Sequence, residues 1–280
     1  MSGSVATVEQ ALANARGKGL DRLASQLLLL HALGRQPDDR AWLIAHDTDV
    51  LTTAIEDRFK ALCERRAAGE PLAYLTGRQA FYGLELQVDP RVLVPRPDTE
   101  TLVDWALAVL ECATQPAVLD LGTGSGAIAL AIKHECPEAR VSALDASPGA
   151  LEVAAGNALR LALEVDFAAG CWLEGVSSQY DLIVSNPPYI AGGDPHLPAL
   201  AHEPTQALVS GADGLNDIRS IIGAAPASLR PGGWLLLEHG YDQAASVRAL
   251  LAGAGFTDVH SRRDLAGIER CSGGKWPGLG

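Results

Sequence analysis

Apolar residues recur every three or four positions through residues 5–77, the spacing that places them on one face of an α-helix. The pattern is clearest in residues 20–32 and 51–62, where leucine, alanine, isoleucine and phenylalanine occupy these positions. Glycines and prolines interrupt it at several points, and these residue types end helices. The N-terminal part of the chain is therefore predicted to form a small bundle of short helices.

The spacing changes to every second residue in residues 81–88, which is typical of a β-strand with one buried face. Residues 89–91, Asp-Pro-Arg, favour a turn, and residues 92–94 are apolar again. The sequence thus predicts a β-hairpin in residues 79–97, with its turn at 89–91. A helix is predicted to follow, from Asp98 to about Cys112.

Beyond Pro116, short apolar runs alternate with amphipathic helical stretches. Alternating strands and helices predict a mainly parallel β-sheet that is covered by helices on both faces. The predicted strands are residues 117–121, 140–144, 164–168, 181–185, 233–238 and 257–261.

The chain has 280 residues, which is long for one hydrophobic core and suits two domains. Apolar residues make up 48% of it, yet no apolar run approaches the roughly 20 residues needed to cross a bilayer. Residues 1–20 lack the continuous apolar segment of a secretory signal. We therefore expect a soluble cytoplasmic protein, a monomer without membrane contact.

The net charge of −12 is unevenly distributed. Residues 1–78 contain ten basic and ten acidic side chains, whereas residues 79–280 contain twelve basic and twenty-four acidic ones. A surface that binds nucleic acid needs clustered cations, so we expect no direct nucleic acid binding by the C-terminal part. The five cysteines are scattered without zinc spacing, which favours buried free thiols over a metal site.

A glycine-rich loop, G-T-G-S-G at residues 122–126, follows the first predicted strand of the sheet. Gly122 and Gly124 allow a tight turn and a close approach of backbone to a ligand, while Gly126 lets the next helix pack near the strand. The second strand ends at Asp145, whose carboxylate can accept hydrogen bonds from ribose hydroxyls. Loop and acid predict a nucleoside-type cofactor, either a nicotinamide dinucleotide or S-adenosylmethionine.

The motif Asn186-Pro187-Pro188-Tyr189 follows the fourth predicted strand. Proline cannot donate to the sheet, so the strand ends in a stiff turn. This turn fixes the Asn186 side chain and the Pro187 carbonyl beside Tyr189, at the edge where open α/β sheets bind ligands. No tyrosine–lysine pair or histidine is arranged for hydride transfer, so the motif favours S-adenosylmethionine.

With these motifs the chain resembles the S-adenosylmethionine-dependent methyltransferases of the seven-stranded α/β class. It is most similar to the HemK/PrmC family, which methylates the glutamine side chain in the Gly-Gly-Gln motif of peptide-chain release factors. The resemblance covers nearly the whole chain, including EPLAYLTGRQAFYGLELQVDPRVLVPRPDTE, DPHLPALAHEPTQALV, LRPGGWLLLEHG and RDLAGIER. It implies a helical substrate-recognition domain (1–78), a hairpin linker (79–97) and a catalytic, cofactor-binding domain (98–280) with the class I methyltransferase fold.

The resemblance also implies roles for individual residues. Asp145 would hold the ribose of the cofactor and Trp172 would flank its adenine. The family commonly has an aspartate just before this tryptophan, where the present chain has Cys171. The methionine end of the cofactor would lie on Gly122, Thr123, Gly124, Ser125 and Gly126, close to Asn186.

The target amide would be bound by residues 186–189. The Asn186 side-chain oxygen and the Pro187 carbonyl are predicted to accept the two N–H groups of a substrate –NH₂, and Tyr189 to stack on the amide plane. Pro188 completes the turn. An exocyclic adenine amine offers the same two N–H groups, so methylation of nucleic acid is the alternative function.

Overall fold

The computed structural model describes residues 5–278. The chain folds into two compact units, and the boundary between them falls between Arg78 and Gln79. Within residues 5–278, no helix has both the length and the apolar character that a membrane span requires.

The N-terminal unit consists of helices, as predicted. Leu28, Leu29 and Phe59 are among the buried side chains of its core. Thr7 and Gln10 form a reciprocal capping box at the start of the first helix. The helices are α1 (Val8–Gly17), α2 (Arg22–Ala32), α3 (Arg40–Ala45), α4 (Thr53–Ala67) and α5 (Leu72–Thr76).

The hairpin that follows differs from the predicted one. Its strands are β1 (Arg78–Phe81) and β2 (Leu84–Gln87), and Tyr82 and Gly83 form the turn between them. Both turn residues have positive φ angles, 47° and 74°, as in the two-residue turns that suit the twist of a hairpin. A turn does form at the predicted position, where the Val92 N–H donates to the Asp89 carbonyl at 3.1 Å, but residues 92–94 form no strand. The predicted hairpin was therefore wrong, because the apolar alternation continues through the Tyr82-Gly83 turn and hides it.

The C-terminal unit contains a seven-stranded sheet with the strand order β5-β4-β3-β6-β7-β9-β8. Of the pairings in this sheet, those of β9 with β7 and β8 are antiparallel and the others are parallel. The strands are β3 (Ala117–Leu121), β4 (Arg140–Asp145), β5 (Asp166–Ala169), β6 (Tyr180–Ser185), β7 (Leu229–Glu238), β8 (Thr257–Arg263) and β9 (Glu269–Lys275). The helices are α6 (Glu100–Leu110), α7 (Ala127–Glu135), α8 (Pro148–Leu161), α9 (Asn216–Ser228) and α10 (Ala244–Gly253).

The mainly parallel sheet and six of its strands are confirmed, whereas the sequence did not predict β9. This strand has the sequence ERCSGGK and lacks an apolar alternation. A side chain at Gly273 would meet Leu236 Cδ2 at 2.4 Å, so β9 lies too close to its surroundings for a larger residue there. Only small residues fit in the space around this part of the strand. The sequence of β9 therefore lacks the alternating apolar residues from which a strand is predicted.

Two apolar clusters cover the two faces of the sheet. Neighbouring residues of one strand point to opposite faces, so Val118 belongs to one cluster and Leu119 to the other. Helices α6 and α7 pack in the first cluster, and α9 and α10 pack in the second. The carboxyl ends of the parallel strands are left at one edge between these layers, where ligands of such sheets bind.

Candidate active site

One row of paired residues crosses four neighbouring strands near their carboxyl ends: Leu144, Leu121, Ser185 and Leu237. The residues that directly follow this row are Asp145, Gly122, Asn186 and Glu238. The Ser185 hydroxyl donates to the Leu121 carbonyl at 2.7 Å and ties two of these strand ends together. Three polar residues and one glycine, from distant parts of the sequence, therefore lie at the same level of the sheet.

The glycine loop runs from β3 to α7, and its three glycines have positive φ angles of 68°, 56° and 83°. Gly122 and Gly124 line a cavity at the strand ends. Gly126 does not line the cavity. It faces neighbouring side chains instead, since a Cβ there would lie 3.0 Å from Leu130 Cδ1 and 3.3 Å from the Ala154 Cβ. The structure thus assigns the first two glycines to the cavity and the third to helix packing.

The side chains of Thr123 and Ser125 are buried beneath the loop and do not line the cavity. The Thr123 hydroxyl donates to Asp120 Oδ2 at 2.7 Å, and the Ser125 carbonyl accepts Asn157 Nδ2 at 3.0 Å. Burial raises the pKa of Asp120 to about 7. The Asp120 Oδ1 atom has no partner among the described residues. The resemblance implied that both residues contribute to the cofactor bed, and their side chains do not line this cavity.

Asp145 stands at the end of β4 and organises the cavity wall. Its Oδ2 accepts the Gly124 N–H at 2.8 Å, and its Oδ1 accepts the Ser147 N–H at 2.8 Å. Each carboxylate oxygen has a further lone pair, which can accept a ligand hydroxyl. One side chain therefore holds the glycine loop and faces the same cavity.

The Trp172 indole forms another wall of the cavity. A Cβ at Gly122 would lie 3.2 Å from Cζ3 of this ring, so only glycine allows the indole to approach the loop this closely. The Trp172 Nε1 donates to Asp217 Oδ1 at 3.0 Å, and Asp217 also lines the cavity. Asp217 was not predicted, because nothing in the sequence links it to a tryptophan 45 residues away.

Cys171 lines the same cavity and is exposed. Cys112 is exposed too, so the expectation that the cysteines are buried was wrong for these two thiols. All five cysteines are free. Across residues 5–278, no cluster of three or more histidine, cysteine or acidic side chains is arranged to hold a metal ion.

The cavity suits S-adenosylmethionine. Its glycine backbone permits close approach of a ligand, its carboxylate can accept from ribose hydroxyls, and its indole offers a flat face to a planar ring. These groups belong to Gly122, Gly124, Asp145 and Trp172, and all four line one continuous space. The residues present therefore fit this cofactor.

Asn186 lies where this cavity meets a second one, which Leu93, Arg96 and Tyr189 also line. The Asn186 Nδ2 donates to the Thr99 hydroxyl at 3.2 Å. No donor among the described residues contacts its Oδ1, which remains able to accept from a ligand. Pro187 and Pro188 are buried, and only Pro188 lines the first cavity.

The Tyr189 hydroxyl donates to Glu238 Oε1 at 3.3 Å, and burial raises the tyrosine pKa. Glu238 is 1% exposed, and burial raises its own pKa to about 7. Its Oε2 has no hydrogen-bond partner among the described residues. Glu238 was not predicted from the sequence, although an acid at the end of an apolar strand is the signal that identified Asp145.

A further unpredicted residue holds Arg96, which lines the second cavity. The buried Glu203 pairs with the Arg96 guanidinium, and its Oε2 accepts the Val94 N–H at 3.1 Å. These contacts join segments 107 and 109 residues apart in the sequence. They fix the chain that leads into α6, and with it the position of Thr99.

Comparisons with known proteins show to which family the chain belongs. Residues 102–246 match the family model of the methyltransferase small domain, and residues 5–77 match that of the PrmC N-terminal domain. The release factor glutamine methyltransferase of Bordetella pertussis is 54% identical over 260 residues, which cover 91% of this chain and 95% of that protein. The chain belongs to the release factor glutamine methyltransferase family.

A second member of the family, from Xylella fastidiosa, is 50% identical and covers 96% of this chain and 98% of its own length. Among solved structures, a methyltransferase from Pyrococcus furiosus has a TM-score of 0.53 at 20% identity and covers 79% of this chain and 98% of its own. A 16S rRNA methyltransferase of T. thermophilus, solved with AdoMet and guanosine, has a TM-score of 0.52 at 20% identity and covers 71% of this chain and 49% of its own. These structural likenesses show the class I methyltransferase fold, as predicted from the sequence.

Proposed function

We propose that this enzyme transfers the methyl group of S-adenosylmethionine to the side-chain amide nitrogen of the glutamine in the Gly-Gly-Gln motif of release factors. The family to which the chain belongs supports this substrate. The observation that carries the chemistry is the free Oδ1 of Asn186 beside the cofactor cavity, with the Nδ2 bound to Thr99.

The cofactor would be held by residues that line the first cavity. Gly122 and Gly124 would lie against its methionine end, Asp145 would accept from its ribose hydroxyls, and Trp172 would face its adenine. Thr123, Ser125 and Gly126 would act indirectly, by shaping the loop. Bound there, S-adenosylmethionine supplies a methyl group on a positively charged sulfur, which is already a strong electrophile.

The protein's task is then to prepare the nitrogen. An amide nitrogen is a poor nucleophile because its lone pair is delocalised into the carbonyl. The Asn186 Oδ1 and the Pro187 carbonyl would accept the two N–H groups of the substrate and stabilise the positive charge that develops there. Tyr189 would stack on the amide plane. Such alignment lowers barriers by roughly 7–11 kcal/mol in favourable cases. The bond from the methyl group to sulfur would break as its bond to nitrogen forms, so the sulfur would leave as a neutral thioether. The methylated nitrogen would then release one proton to water, so the proposal includes no dedicated base.

Methylation of nucleic acid, the alternative function, is not favoured. The relatives at about half identity over nearly the whole chain are release factor glutamine methyltransferases. The acidic excess in residues 79–280 also makes this part poorly suited to a phosphate backbone.

The test is transfer of label from S-adenosylmethionine to release factor, to release factor with alanine in place of the Gly-Gly-Gln glutamine, and to DNA and RNA. We expect label in the unaltered release factor alone. Label in nucleic acid and none in release factor would refute the proposed substrate.

We further propose that the enzyme acts in the cytoplasm, where translation terminates, and that it acts as a monomer. Sedimentation of the purified protein would test the monomeric state.

A further inference from the structure

Two carboxylates line the proposed cofactor cavity, and one of them has no assigned ligand partner. Asp145 is proposed to accept from the ribose hydroxyls. Asp217, in the first turn of α9, is half-buried and lines the same cavity. Acidic residues are favourable at helix starts in general, so the place of Asp217 in its helix does not indicate a ligand. What distinguishes Asp217 is its contact with the cavity wall.

The Asp217 carboxylate is held at the edge of the Trp172 indole. The Trp172 Nε1 donates to Asp217 Oδ1 at 3.0 Å. The Asp217 N–H donates at 2.8 Å to the hydroxyl of Ser210, which is buried. The backbone and one carboxylate oxygen are therefore both fixed. Because an indole N–H lies in the plane of its ring, the carboxylate stands beside the edge of the indole rather than over its face.

The second oxygen of this carboxylate is available to a ligand. Among the described residues, no donor contacts Asp217 Oδ2. A carboxylate accepts hydrogen bonds and donates none, so it favours a ligand that presents N–H or O–H groups. A planar ring that stacks on the Trp172 indole has its own edge beside this oxygen. In the adenine of a nucleoside, the N–H groups of the base all belong to the 6-amino group.

Other side chains that line the cavity suit an amino group less well. Cys171, where the family commonly has an aspartate, carries a sulfur that is a weak acceptor. Gln206 has an amide, which donates as well as accepts and therefore does not select an amine. The Arg91 guanidinium donates and cannot accept. Asp217 is the side chain beside the indole that can accept without also donating.

We propose that Asp217 determines recognition of the adenine: its Oδ1 orients the Trp172 indole, and its Oδ2 accepts a hydrogen bond from the 6-amino group of the cofactor. The acceptor for the amine thus comes from α9 and not from the residue that precedes the tryptophan. The inference rests on the proposed placement of S-adenosylmethionine in this cavity. It does not depend on which molecule is methylated.

The test compares two ligands by calorimetry in the absence of any methyl acceptor. One is S-adenosylhomocysteine, the product left after methyl transfer, and the other is its analogue with hydrogen in place of the 6-amino group. We expect the wild type to bind the amino compound about 10- to 100-fold more tightly, the scale of one hydrogen bond to a charged group. Equal affinities of the wild type for the two ligands overturn the proposal.

Asp217→Asn keeps an oxygen for the Trp172 N–H and replaces the free oxygen by an NH₂ group. We expect the Kd of the amino compound to rise about 10- to 100-fold and that of the 6-hydrogen analogue to change less than about threefold, so the preference disappears. A purely structural role of Asp217 would weaken both ligands by the same factor, and that result contradicts the proposal. If Asp217→Asn does not fold, Asp217→Ala takes its place with the same criterion.

Two matched variants locate the recognition. Asp145→Asn makes the same chemical change in the other carboxylate of the cavity, and Cys171→Ala changes the residue next to Trp172. Both should keep the wild-type ratio of the two affinities, whatever their absolute affinity. Loss of the preference in Cys171→Ala together with its retention in Asp217→Asn would assign the amino group to Cys171 and refute the role of Asp217.

Failure of this proposal is distinguishable from failure of the cofactor placement. Gly124→Ala should weaken both ligands if they lie in this cavity. If Gly124→Ala binds both ligands as the wild type does, the placement fails and the role of Asp217 fails with it. If Gly124→Ala weakens both ligands and the preference for the amino compound persists in Asp217→Asn, only the role of Asp217 fails.

Discussion

Substitution of Gly124 tests whether the cofactor lies on the glycine loop. Gly124 has a φ of +56° and lines the cavity, and a Cβ built on it would meet no protein atom within 4 Å. The Gly124→Ala methyl group would therefore enter the space that the cofactor is proposed to fill. Gly175 is the matched control in the same unit: its φ is +73°, it is equally free of neighbours, and it does not line the cavity.

The two substitutions should cost similar stability but differ in binding. A left-handed backbone costs an L-residue roughly 1–2 kcal/mol, and neither methyl group adds a clash in the free protein. In a protein of this size that cost lowers Tm by about 2–8 °C. Only Gly124→Ala displaces the ligand, and a loss of about 3 kcal/mol raises Kd roughly 100-fold.

Calorimetry with S-adenosylmethionine and thermal unfolding of both variants provide the measurements. We expect comparable decreases in Tm, a near-wild-type Kd for Gly175→Ala and at least a roughly 100-fold weakening for Gly124→Ala. Gly124→Val should abolish binding, because its branched side chain fills more of the same space. If Gly124→Ala and Gly175→Ala bind the cofactor equally well, the cofactor lies elsewhere and the assignment of this cavity is wrong.

Three further substitutions test other parts of the site. Cys171→Ala should change the calorimetric Kd for S-adenosylmethionine less than about tenfold, and a far larger loss would give the thiol an unassigned role. Asn186→Ala should leave cofactor binding intact while methyl transfer falls roughly 10²–10³-fold, and loss of both together would contradict the assignment to the substrate. Asp120→Asn should alter the pH dependence of stability. Burial raises the pKa of Asp120 from 3.8 to about 7, so folding favours its protonated form and its contribution declines as pH rises between these values. Denaturant unfolding should show wild type losing stability relative to Asp120→Asn across that interval, and a constant difference would refute this reasoning.

Local sequence signals predicted those parts of the site that directly follow an apolar strand. The glycine loop, Asp145 and the Asn-Pro-Pro-Tyr motif each follow an apolar run, so periodicity alone places them at strand ends. Thr99 and Glu203 carry no such signal. Thr99 meets Asn186 across 87 residues and Glu203 meets Arg96 across 107, and such contacts exist only once the sheet has formed.

The register of the sheet explains why residues so far apart in sequence face one site. Successive residues of a strand point to opposite faces, so a shift of one residue in any pairing would turn its strand end the other way. The pairing of Ser185 with Leu121 and Leu237 places Asn186 level with Gly122 on one side and with Glu238 on the other. The glycine loop, the proposed substrate acceptor and Glu238 are thus fixed relative to one another by the same backbone hydrogen bonds. Their relative position therefore depends on the paired strands rather than on any loop that can move independently.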